Sequence, residues 1–111
     1  MTRWRYFDSL GNMETKDAVE ALSALAQESR LDIFRLLVRK GPQGLSPGEL
    51  SVAMEIPPAT MSFHLKELSR AGLLASRREG RSIIYSADFD SMRTLIDFLL
   101  ENCCSESGGK C

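Results

Sequence analysis

The first 102 residues contain no cysteine, and histidine occurs once in the whole chain, at His64. No disulfide can therefore staple the body of the fold, and no metal site built from several histidines is available. No apolar run approaches the ~20 residues that a membrane-spanning helix needs. The N-terminus carries Arg3 and Arg5 but no long apolar stretch behind them, so no signal peptide is read and a cytoplasmic location is expected. No internal repeat and no Gly-rich phosphate loop is present. What remains is a 111-residue chain, 43% hydrophobic, with the length and composition of one globular domain.

The net charge is −1, but its distribution is uneven. From Pro57 to Ser86, Lys66, Arg70, Arg77, Arg78 and Arg81 stand against Glu67 and Glu79, giving +3. From Ala87 to Cys111, Arg93 and Lys110 stand against Asp88, Asp90, Asp97, Glu101 and Glu106, giving −3. Positive charge gathered in one segment is the electrostatic footprint of a nucleic-acid binder, whatever the sum.

Periodicity places the elements. Ala18, Leu22, Leu25 and Ala26 predict a helix over 14–26, and Ile33, Phe34, Leu36 and Leu37 a second over 29–39, stopped by Gly41-Pro42. Ser46-Pro47-Gly48-Glu49 opens a short third helix as a capping box, with Leu50, Ala53 and Met54 inward. Ile56-Pro57-Pro58 breaks it. A fourth helix is expected over 59–71, burying Met61, Leu65 and Leu68 and closing at Gly72. The period then changes to two: residues 73–78 and 81–86 read as strands around a Glu79-Gly80 turn. Asp88 caps a last helix over 89–101, whose apolar stripe comprises Phe89, Met92, Leu95, Ile96, Leu99 and Leu100. The order is α-α-α-α-β-β-α, mainly α with a small β-hairpin. Residues 1–13, with Trp4, Tyr6, Phe7 and Leu10, form an N-terminal arm, residues 14–101 the domain, and residues 102–111 a flexible tail.

A short helix, a tight turn, a second helix and a basic hairpin follow the plan of a winged helix-turn-helix. Thr60, Ser62, His64 and Lys66 lie in the N-terminal half of helix four, where a recognition helix meets base edges. Lys66 and Arg70 suit phosphates. Arg77, Arg78 and Arg81 surround the hairpin tip, as a DNA-contacting wing requires. Double-stranded DNA is the expected partner.

The stretch from Ala59 to Leu74, with its Ser62-Phe63-His64-Leu65 core and Ala71-Gly72-Leu73 exit, resembles the recognition helix of the ArsR/SmtB metal-responsive repressors. Ala21 to Leu37 looks like that family's junction of helices one and two, and Arg77-Arg78-Glu79-Gly80-Arg81 like its wing. The resemblance spans about residues 14–101. It implies a homodimer paired through the first and last helices, repressing its operon until an effector binds. The chain departs from the pattern in two places. Where many members carry Cys-x-Cys in the third helix, this one has Glu49 to Met54 and no thiol. Where zinc-sensing members carry histidine ligands on the last helix, this one has Asp88, Asp90, Asp97 and Glu101 but no histidine.

The remaining donors are Cys103, Cys104 and Cys111, all in the last nine residues. Some arsenic-responsive members resemble this arrangement, with a vicinal pair after the last helix and a third cysteine downstream. Soft thiolates select thiophilic ions. As(III) or Sb(III), keeping a lone pair, is saturated by three sulfurs in a pyramid, whereas Zn(II) or Cd(II) takes a fourth ligand. As(III) is therefore the expected effector, with Sb(III) beside it; a Cd(II) or Zn(II) sensor and a redox switch pairing Cys111 with one of its neighbours are the alternatives. An enzymatic reading, such as a thiol arsenate reductase, lacks its oxyanion cradle: no Cys-x5-Arg follows any cysteine.

Overall fold

A computed structural model describes residues 13–108. Among the described residues, five α-helices and a two-stranded hairpin follow the expected order: α1 (Thr15–Leu25), α2 (Glu28–Lys40), a 3₁₀ turn (Gly41–Gln43), α3 (Pro47–Met54), α4 (Pro58–Arg70), β1 (Leu74–Glu79), β2 (Ser82–Ala87) and α5 (Phe89–Leu100). The aromatic residues of the N-terminal arm lie outside the described residues.

Caps set the helix starts. Ser46 accepts from the Glu49 amide while the Glu49 carboxylate accepts from the Ser46 amide, closing the expected box with Pro47 behind it. Gln27 accepts from the Arg30 amide, starting α2 one residue earlier than the apolar period indicates. Asp88 caps α5 through the Ser91 amide. Between α3 and α4, Glu55 takes the left-handed conformation and Pro58 opens the next helix, making the tight turn of a helix-turn-helix.

Ile33, Leu37, Leu50, Met61, Leu65, Leu68 and Leu73 are almost wholly enclosed and form the core under the helix-turn-helix. Three details differ from the periodic reading. Along α1 the buried apolar positions are Ala18, Ala21 and Ala24, while Leu22 is half exposed. On α3, Leu50 is buried but Ala53 is exposed. On α5 only Leu95 of the six stripe residues is buried, and Phe89, Ile96, Leu99 and Leu100 remain open.

The hairpin is shifted by one residue. Glu79 pairs with Ser82 and Leu74 with Ala87, so the turn is Gly80-Arg81. Leu73 is unavailable to the strand because its amide bonds the Leu68 carbonyl at the exit of α4, beside Gly72 at φ +81°. Gly80, at φ +61°, takes the first central position, where a type II′ turn wants glycine. Leu45 adds an antiparallel bridge to Tyr85. That approach requires Gly44: at φ +63°, ψ −167° it occupies a region open only to glycine, and a Cβ there would lie 2.2 Å from the Tyr85 carbonyl oxygen.

Candidate nucleic-acid interface

Packing of α4 divides its side chains. Met61, His64, Leu65 and Leu68 recur at i, i+3, i+4 and i+7 and face the core. Thr60, Ser62, Lys66 and Arg70 are exposed, as the sequence reading requires of groove-facing residues. His64 is not among them. It is only 7% exposed, and its Nδ1 lies 3.4 Å from an Arg30 guanidinium nitrogen on α2. Arginine has no acceptor, so Arg30 donates and Nδ1 accepts; the imidazole there is neutral, with its proton on Nε2. Burial, and then the Arg30 charge, pull the His64 pKa below its ordinary value. Expecting base contacts from His64 follows an alternation of period two along a helix; the period of 3.6 turns the residue inward.

Arg30 itself is held by donating Nε to the Ala24 carbonyl at 2.7 Å. It ties the α1–α2 junction to the recognition helix through His64, a role the sequence reading does not assign. Between Ser62 and His64 stands Phe63, 54% exposed. Its outward direction was implicit in the inward quartet.

The wing arginines have different tasks. Arg77 donates Nη1 to the Pro42 carbonyl and Nη2 to the Gln43 carbonyl, both at 3.0 Å, and Nε to Glu79 at 2.9 Å. It pins the hairpin to the 3₁₀ turn, a structural task the sequence reading does not assign, while its side chain stays exposed. Arg78 and Arg81 are exposed at and beside the tip, turned to solvent. Arg70 is 64% exposed and pairs with Glu67 at 2.8 Å, a surface pair within one helix that costs little to break.

Beyond α5 the chain passes through successive turns. The Cys103, Ser105 and Ser107 amides bond the Leu100, Asn102 and Cys104 carbonyls, with Asn102 and Cys104 at φ +60° and +62°. These turns bring the Cys103 and Cys104 sulfurs to 3.4 Å. Cys103 is an exposed thiol, and Cys104 is disulfide-bonded. Cys111 lies outside the described residues, so the expected three-sulfur set is seen at two of its members.

A family model for a helix-turn-helix domain matches residues 25–77. The chain is 35% identical over 98 residues to an uncharacterised HTH-type transcriptional regulator, YceK of Bacillus subtilis, covering 86% of this chain and 97% of that one. It is 35% identical over 82 residues to the transcriptional activator HlyU of Vibrio cholerae, covering 74% and 73%. Among solved structures, an ArsR-like transcriptional regulator from Rhodococcus superposes with a TM-score of 0.71 at 25% identity, covering 84% of each chain.

Proposed function

We propose that this chain, which belongs to the ArsR/SmtB family of winged helix-turn-helix transcriptional regulators, is a homodimeric repressor that leaves its operator when As(III), or Sb(III), binds Cys103, Cys104 and Cys111. DNA binding and transcription regulation belong to the family; the chain is not an enzyme. The sign of regulation, the effector and the dimer are the proposal. One relative, HlyU, is named an activator, so repression rests on the chain's own resemblance to metalloid repressors.

The observation that carries the effector is the pair of sulfurs 3.4 Å apart just past the end of α5. One soft ion reaches both at that spacing, and the chemistry of the donor set fits a trivalent metalloid. Three thiols displace the three hydroxyls of arsenous acid and release three waters, with no redox change. All three sulfurs must be thiols, so Cys104 binds only after reduction of its disulfide. On DNA, Thr60 and Ser62 reach base edges while Lys66, Arg70, Arg78 and Arg81 neutralise phosphates. The dimer would set the two α4 helices ~34–36 Å apart, one turn of DNA. Among the described residues no helix is long and apolar enough to cross a membrane, in keeping with action in the cytoplasm.

The disulfide at Cys104 favours a second reading, release by thiol oxidation. Fluorescence anisotropy on a labelled fragment of the chain's own promoter separates the two. Under excess reductant, arsenite releases the wild type, zinc and cadmium do not, and Cys103→Ser and Cys104→Ser stay bound. Release by an oxidant alone, with no response to arsenite, establishes the redox switch instead. Normal arsenite release of either serine variant removes the thiol site.

A further inference from the structure

We infer that Phe63 is a base-reading residue, its ring packing on the C5-methyl group of a thymine in the major groove. The inference rests on α4 being the DNA-reading helix. Phe63 is 54% exposed in the N-terminal half of that helix, where recognition helices meet base edges. The packing that turns His64 inward turns Phe63 outward. Its ring neighbours the imidazole, with centroids 5.9 Å apart and planes tilted by 58°.

Its neighbours make an idle surface aromatic a poor description. One turn further along the same face come Lys66 and Glu67, and a turn beyond stands Arg70, which engages Glu67 at 2.8 Å. Ser62 adjoins it. A large apolar ring is thus set in a polar, cationic surface, the surface expected to enter the groove.

The groove floor decides what such a ring accepts. Its exposed groups are chiefly hydrogen-bond donors and acceptors, and the one bulky apolar group among them is the thymine methyl. A phenyl ring placed over the polar groups removes their water and returns no hydrogen bond, which is unfavourable. Placed over the methyl, it buries apolar surface on both partners. Phe63 therefore selects thymine and penalises guanine or cytosine at one position of each half-site, while the Thr60 and Ser62 hydroxyls serve neighbouring polar edges.

The test uses the full chain. Duplexes are selected from a random-sequence library, and each thymine of the recovered site is then replaced singly by deoxyuridine, which deletes only the methyl. One position per half-site should weaken wild-type binding about four-fold, the worth of burying one methyl group. The Phe63→Ala variant should show no difference between thymine and deoxyuridine there. Its unfolding midpoint should stay close to that of the wild type, as for an exposed side chain. A uridine penalty at no position, or one that persists undiminished in Phe63→Ala, overturns the inference while leaving DNA recognition intact. Failure of the library to enrich any sequence overturns sequence reading by α4 and the inference with it.

Discussion

Arg77 and Arg81 stand four residues apart on one hairpin with the same charge, yet their surroundings give them opposite duties. Arg77 is held by two backbone carbonyls and Glu79; Arg81 sits at the tip. Arg77→Ala is expected to lower stability by about 1–2 kcal/mol, the worth of lost charge-assisted bonds at a partly exposed site, read by denaturant unfolding. Arg81→Ala should leave stability unchanged and reduce the slope of log affinity against log salt by about one. His64 provides the second contrast. Its folded pKa is depressed, so between that value and about 6.5 the unfolded chain binds more protons. The neutral ring's contribution is complete above about pH 6.5 and is lost as pH falls toward the folded value. Thermal midpoints measured from pH 7.5 down to 5 should therefore decline more steeply for the wild type than for His64→Gln. Residue type alone assigns both side chains to DNA. Phosphate binders and internal tethers share one chemistry, and only phase along the helix or nearby carbonyls distinguish them.

Elements are more legible than residues because their signals are local. The Ser46–Glu49 box and the Asp88 cap stand as the sequence indicates, since a cap involves atoms only three residues apart. The hairpin shift also has a local cause, one that a period of two does not register: the α4 exit claims the Leu73 amide for the Leu68 carbonyl. The Leu45–Tyr85 bridge has no sequence signal, since it joins segments forty residues apart by backbone alone. Gly44 is its one trace. Gly44→Ala is expected to cost more than about 2 kcal/mol from backbone strain and the Tyr85 clash. In thermal unfolding that is a loss of roughly 10 °C or more for a domain of this size.

At the scale of the whole molecule, the apolar stripe of α5 was legible but its covering was not. Ile96, Leu99 and Leu100 remain about half exposed, as do Val19 and Leu22 on α1. Periodicity locates an apolar face; it carries no information on whether the covering surface comes from the same chain. If α1 and α5 pair two copies as proposed, Leu99→Glu should yield monomers at micromolar concentration by sedimentation velocity. It should also weaken operator binding far more than it alters the unfolding midpoint.

The Asp88 amide bonds the Leu73 carbonyl at 2.9 Å, joining the start of α5 to the exit of α4. This bond makes α5 a lever with its fulcrum beside the recognition helix and its long arm ending near the cysteines. Twelve residues give that arm ~18 Å, so a tilt of about 10° moves its far end by ~3 Å. If the thiols capture an ion as proposed, a pull of one bond length or two at the cysteine end would turn the fulcrum by several degrees, and the torque would fall on α4, the proposed groove-reading helix.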